Sequence, residues 1–183
     1  MVKVTIGIVT YNRLELTKRC LESLWSKTGM PFYLFVADNN SSDGTQAYLR
    51  DLYAQGKIDR LFLLDQNYGV APASNCILEQ VQTPYYLKLD NDIEILRGSW
   101  LTEMIEVCQQ NDNQIFTAYS FLHQLYHITY PTGILPSGHQ IQIPEANVGG
   151  ACILIHKSVH EKLGYWCEDY SPYGEEDTDY CVR

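Results

Sequence analysis

No stretch of the 183-residue sequence approaches the roughly 18 apolar residues that a membrane-spanning helix needs. Lys3 alone is too little charge for a secretory leader, so the chain reads as soluble and unprocessed. Basic residues are scarce: 13 Lys and Arg stand against 22 Asp and Glu, a formal net charge of −9. That balance argues against nucleic acid as a partner, because neutralising phosphates needs a clustered excess of Lys and Arg. Phosphate-cradle glycines are missing as well. Neither GxGxxG nor GxxxxGK[ST] occurs, which counts against a dinucleotide-dependent dehydrogenase and against a P-loop enzyme. The six cysteines (Cys20, Cys76, Cys108, Cys152, Cys167, Cys181) form no CxxC and no zinc-type pair. Several sit in apolar stretches, as Cys152 does, so they read as free thiols in a reducing compartment, the cytoplasm. No repeat or low-complexity linker divides the chain, and its length is that of one domain.

What is present is an alternation of two hydrophobic periods. Val2 to Thr10 (VKVTIGIVT) is short and β-branched, a strand. Asn12 follows as the N-cap of a helix, Glu15 completes a capping box, and Leu14, Leu21, Leu24 and Trp25 share one helical face. Strands at Tyr33 to Ala37, Ile58 to Leu64 and Tyr85 to Leu89 alternate with helices at Thr45 to Gln55 and Ala73 to Val81. Strands separated by helices of about ten residues imply βαβ crossovers and a mainly parallel sheet. After Asp92 the rhythm changes to a helix from Trp100 to Gln110 and a strand near Ile115 to Tyr119. An irregular hairpin follows over 123–148, then a strand from Ala151 to Ile155 and a short helix from Ser158 to Gly164. The expectation is one α/β domain in two halves, about 1–97 and about 98–183.

Open α/β sheets bind ligands at the carboxyl ends of their strands. Four polar clusters fall there: Thr10-Tyr11-Asn12, Asp38, Asn67 with Gly69, and Asp90-Asn91-Asp92. In the last, a D-x-D after a buried strand, one carboxylate can face a ligand hydroxyl and the other a hard divalent cation. Mg²⁺ and Mn²⁺ commonly use one or two carboxylates plus substrate phosphates. Arg13 is the best-placed cation for a phosphate. Asp38 can accept the imide N–H of a uracil ring, or form an Asx-turn that only shapes its loop; Asp43-Gly44 is good turn chemistry too.

Seven carboxylates lie between Glu161 and Asp179 against Lys162 alone. A helix start favours such acid, and neighbouring carboxylates also raise one another's pKa, which suits a general base. The pairs His123/His127 and His156/His160 have i,i+4 spacing but lack HExxH. Of these, His156 could approach a metal, although core or surface roles fit all four better.

Six segments in order carry a resemblance over essentially the whole chain: VTIGIVTYNR, VADNNSSDGT, NYGVAPASN, LKLDNDIEI, GGACILIHKSVHEKLGYWCEDY and GEEDTDYCVR. The sequence resembles the inverting family 2 glycosyltransferases of GT-A fold, a Rossmann-like sheet flanked by helices with an irregular acceptor side. The resemblance implies a nucleoside-diphosphate sugar donor, usually a UDP-sugar, with Mn²⁺ or Mg²⁺. It puts Thr10, Tyr11, Asn12 and Arg13 at the nucleotide pocket with Asn67, Gly69 and Asn91. Asp38 would read the base, Asp90 approach the ribose, Asp92 hold the metal and Asp177 act as catalytic base. The acceptor would be a saccharide, a lipid-linked molecule or a protein, with peripheral membrane association left open. Two positions depart from the family: Ser74 stands where Arg is common, and Asn91 where Asp is. The family's acceptor side normally continues past the motif that ends here at Arg183, so a C-terminally truncated chain is expected. A nucleotidyltransferase would need a glycine-rich loop after the first strand, which Thr10-Tyr11-Asn12-Arg13 is not. The other rival is a non-catalytic sugar-nucleotide-binding module.

Overall fold

The computed structural model of the chain describes residues 3–113, 117–118, 131–134, 138, 140–142, 149–170 and 172–183. Val2, His123, His127 and most of the expected 123–148 hairpin lie outside the described residues. The order is β1 (Val4–Thr10), α1 (Leu14–Lys27), β2 (Tyr33–Asp38), α2 (Thr45–Ala54), β3 (Arg60–Leu63), α3 (Val70–Leu78) and β4 (Tyr85–Asp90). There follow α4 (Trp100–Gln110), β5 (Thr117–Ala118), β6 (Thr132–Ile134), β7 (Gln140–Gln142), β8 (Cys152–His156), α5 (Lys157–Leu163), a 3-10 turn (Glu168–Tyr170) and α6 (Glu176–Val182).

Six strands form one sheet in the order β3-β2-β1-β4-β8-β5, and β6 pairs with β7 in a separate antiparallel ribbon. The first four strands are mutually parallel, as their crossover helices require, whereas β8 runs antiparallel to both β4 and β5. The order reverses between β1 and β4, and a crevice opens at that point beyond the strand ends. Thr10 and Asp90 are the last residues of those two strands.

Alternation within each strand builds a core on each face of the sheet. On one face Val4, Ile6, Ile8, Leu87 and Leu89 pack with Cys20, Leu21 and Leu24 of α1 and with Trp100 and Met104 of α4. On the other, Ala37, Tyr86, Ile153 and Ile155 pack with Ala73 and Ile77 of α3 and with Trp166 and Tyr180. A fully buried Leu or Ile contributes about 1.5–3 kcal/mol, so these faces fix the register of every strand that carries a site residue. Gly7 lies on the second face, where an added Cβ would stand 2.7 Å from Tyr86 Cε2 and 2.8 Å from its hydroxyl. Only glycine leaves room for the tyrosine ring over β1 there.

Several element boundaries differ from the sequence reading, and three of the differences bear on the site. Helix α3 begins at Val70 rather than Ala73, because Pro72 stands in the first turn, where its missing N–H costs nothing. Asp38 and Asp90 end β2 and β4 rather than following them. Asn12 does not cap α1. Asn12 and Arg13 are both left-handed (φ 55° and 62°), and the side chain of Asp43 accepts from the Leu14 N–H at 2.9 Å instead. Glu15, the expected other half of a capping box, pairs with Lys18. All six cysteines are free, and no helix among the described residues is long and apolar enough to cross a membrane.

Candidate active site

The turn after β2 is built on Asp38, which is fully buried. Its Oδ2 accepts from Thr10 Oγ1 (2.7 Å) and from Ser41 Oγ (2.6 Å), and its Oδ1 accepts from the Ser41 N–H (2.8 Å). In this structure the carboxylate is turned into its own loop, where Asp38 locks the β2 turn to the end of β1. Thr10 is also fully buried and serves the same lock. Its neighbours complete the seam. The Asn12 N–H donates to Ser41 Oγ (2.7 Å), and Asn12 Oδ1 accepts from the Ser42 N–H (2.9 Å). Asp43 takes the Thr45 hydroxyl at 2.6 Å as well as the Leu14 amide. Partial desolvation pushes its pKa up, but hydrogen bonds from Thr45 and Leu14 outweigh that and hold it below the usual value. Asp43 is turn chemistry.

Asn39, which the sequence reading passed over, ties the third loop to the second. Its Nδ2 donates to Gly69 O (3.0 Å) and its Oδ1 accepts from the Tyr68 N–H (3.3 Å). Asn67 accepts from the Gly69 N–H at 3.0 Å, and Gly69 adopts a positive φ of 96° where α3 begins. Asn67 and Gly69 thus shape the loop bordering the crevice. Ser74 faces inward, fully buried, with no hydrogen-bond partner for its hydroxyl among the described residues, so it does not reach the loop ends. Asn75, one residue on, clamps the acidic half: it exchanges hydrogen bonds with the Trp166 backbone (2.9 Å each) and donates to Glu168 (2.8 Å).

At the end of β4 the three D-x-D residues diverge. Asn91 donates to Thr17 Oγ1 (2.9 Å), which fixes the peptide against α1. Asp92 Oδ2 accepts from Arg13 at 2.8 Å, in a pair whose side chains are 62% and 36% exposed. Such an exposed pair is worth about 0–1 kcal/mol, so Arg13 is readily displaced by a stronger cation. Asp90 pairs instead with Lys88, at 2.9 Å. Burial pushes the nearby Cys20 thiol up to about 12, so it is an uncharged packing group donating to the Asp90 carbonyl.

These donors suit a hard divalent ion. Two carboxylates stand one residue apart, all oxygen, and no cluster of three or more metal-binding side chains exists among the described residues. An ion here would take the remainder of its shell from phosphate and water, which is the habit of Mg²⁺ and Mn²⁺. His156 contributes nothing. It lies at the far end of the β4–β8 ladder opposite Tyr85, its Nδ1 accepts from the Ser158 N–H to cap α5, and burial lowers its pKa.

Asp177 stands at the start of α6, after a turn in which Gly174 and Glu175 are both left-handed (φ 110° and 65°). Its Oδ2 accepts from the Gly150 N–H at 2.7 Å and its Oδ1 from the Thr178 N–H at 2.8 Å. A Cβ on Gly150 would meet both Asp177 Cβ and Oδ2 at 3.0 Å. Each oxygen keeps a lone pair for a further donor. Glu176, by contrast, is buried and closes its own turn on the Gly174 N–H, while Asp179 pairs with Arg183. Of the three acids opening α6, Asp177 is the one oriented by a distant peptide. Replacing Asp38 with Ala is expected to lower stability by about 2–3 kcal/mol in urea unfolding, since Thr10 and Ser41 lose a charged acceptor. Unchanged stability with a specific loss of nucleotide affinity would show instead that Asp38 serves the base and not the turn.

Comparison with known proteins agrees with this architecture. A model of "Glycosyl transferase family 2" matches residues 5–164. The chain is 33% identical over 125 residues to a teichoic acid poly(glycerol phosphate) polymerase of Staphylococcus epidermidis, covering 68% of this chain and 17% of that protein. It is 32% identical over 107 residues to a GalNAc(5)-diNAcBac-PP-undecaprenol beta-1,3-glucosyltransferase of Campylobacter jejuni, covering 57% of this chain and 34% of that one. Among solved structures, GalNAc-T7 with UDP, GalNAc and Mn²⁺ superposes with a TM-score of 0.75 at 13% identity, over 100% of this chain and 40% of that one. The chain thus spans less than half the length of each. From the matched span, the chain belongs to glycosyl transferase family 2.

Proposed function

We propose that the domain transfers a sugar from a nucleoside-diphosphate sugar to an acceptor hydroxyl, with inversion at the anomeric carbon and Asp177 as the general base. One observation carries this reading. Asp177 is held by the Gly150 N–H, one peptide from the Lys88–Asp90 pair at the strand-order reversal, where such sheets bind nucleotides. Residues up to about 97 serve the donor, and the later half serves the acceptor.

For the donor, a UDP-sugar is favoured. Base recognition belongs to the β2 turn built on Asp38, which presents the exposed Asn40, together with the half-exposed ring of Tyr11. Asp90 faces the ribose with the oxygen that Lys88 leaves free. Asp92, with Asp90 beside it, would hold Mn²⁺ or Mg²⁺; the ion supplies positive charge against the leaving diphosphate, which a protein of net charge −9 otherwise lacks. The GalNAc-T7 complex with UDP and Mn²⁺ supports the choice of both nucleotide and ion. The undecaprenol-linked substrate and the teichoic acid product in the relatives' names support a role in polysaccharide biosynthesis on a lipid-linked or glycan acceptor. Free cysteines throughout support a reducing compartment, the cytoplasm.

In the reaction the acceptor oxygen attacks the anomeric carbon from the face opposite the nucleotide. Its proton passes to Asp177, and the bond to the diphosphate breaks with its electron pair. Two N–H donors orient the carboxylate, so its proton-accepting lone pairs are aimed before the acceptor arrives.

Two outcomes follow. Calorimetry should show UDP binding in Mn²⁺ that is lost in EDTA, and Asp92→Ala should erase the difference. Equal wild-type affinity with and without the ion contradicts the metal assignment. Asp177→Asn should lower transfer at least ~10²-fold, roughly 3 kcal/mol of barrier, while leaving UDP affinity nearly unchanged. Retained transfer in Asp177→Asn, with loss in Glu176→Gln, would move the base one residue earlier.

A further inference from the structure

Lys88 is an anomaly whose burial neither the fold nor the proposed chemistry explains. It stands in the middle of an apolar strand, Tyr85-Tyr86-Leu87-Lys88-Leu89, and its side chain is only 4% exposed. A buried ammonium is costly unless every direction around it is satisfied. Here the Nζ donates to Asp90 Oδ1 at 2.9 Å and to Gly150 O at 2.7 Å. Asp90 is not confined to this partner, since its own side chain is 41% exposed and open to water. The buried charge is therefore explained by what it joins rather than by what it neutralises.

It joins the two working carboxylates. Gly150 accepts from Lys88 through its carbonyl and donates to Asp177 through its N–H, so one peptide residue carries the connection from Asp90 to Asp177. Slack is absent at each joint. The Asp90 N–H donates to Ala151 O at 2.8 Å, and Lys88 stands opposite Ile153 in the β4–β8 ladder. Nothing larger than a hydrogen fits between Gly150 and Asp177 without displacing one of them.

We infer that Lys88 is a positioning residue that couples occupancy of the donor side, at Asp90, to the orientation of Asp177. This rests on the donor and base roles proposed above. A ligand hydroxyl on the free oxygen of Asp90 draws the carboxylate outward, Lys88 follows its partner, and Gly150, held at its carbonyl, turns about its Cα and re-aims the N–H of the preceding peptide that orients Asp177. An apolar side chain at position 88 would fill the same space and transmit none of this.

The test uses ¹⁵N-labelled chain titrated with UDP and Mg²⁺, following the amides of Gly150 and Thr178, the two donors to Asp177, together with that of Tyr11 on the donor side. In the wild type all three should shift. In Lys88→Met the Tyr11 shift should remain and those of Gly150 and Thr178 should be lost, and Lys88→Arg should restore the Gly150 response. A purely structural lysine would not separate the two groups of amides in this way. Wild-type Gly150 and Thr178 shifts persisting in Lys88→Met would overturn the inference. If Lys88→Met does not fold, Lys88→Arg decides: a Gly150 response sustains the coupling, and its absence with Tyr11 still shifting overturns it. No response anywhere in the wild-type spectrum defeats the donor reading itself, and this inference with it.

Discussion

Strand β4 has a parallel neighbour on one side and an antiparallel neighbour on the other, and the site depends on that asymmetry. The parallel pairing with β1 brings Thr10 and Asp90 to the same end of the sheet. The antiparallel pairing with β8 brings the beginning of β8 to that end too, because Leu89 faces Cys152. Gly149 and Gly150, which lead into β8, therefore arrive beside the D-x-D rather than a strand length away, about 15 Å off for five residues. A parallel β8 would have delivered His156 to the crevice and left Asp177 without its orienting peptide.

Charge distribution follows the same geometry. Two cations meet two of the acids at the end of β4 in different ways. Arg13 reaches Asp92 across the surface, in a pair that water and a divalent ion both compete for. Lys88 meets Asp90 from below, buried and held at two points. One carboxylate is thus left available and the other is fixed in direction. The acidic start of α6 is divided likewise: Glu176 turns back on its own loop and Asp179 pairs with Arg183, which leaves Asp177 facing Gly150.

The parallel half was legible because its signals are local. Short β-branched runs, helices of about ten residues and turn residues between them suffice to place β1 to β4, and the D-x-D follows directly from the strand that ends in it. Less legible were features decided by partners distant in sequence. Asp38 is the last residue of its strand, and whether its carboxylate faces a ligand or Thr10 depends on a neighbour 28 residues away. Asn12 has the composition of an N-cap, but the left-handed turn it enters gives the capping to Asp43. The lysine in LKLD was a signal in plain view, since a charged residue mid-strand needs a partner. Its meaning needed Gly150, which lies 62 residues on.

The account makes Asp177 a base acting on the acceptor in a single displacement, and the stereochemistry of the product tests this most directly. Proton NMR can follow the first sugar released or transferred from an α-linked UDP-sugar, before mutarotation. The account predicts a β-configured product. An α-configured product would contradict it, because retention requires a different arrangement of the reacting groups from the one built around Asp177.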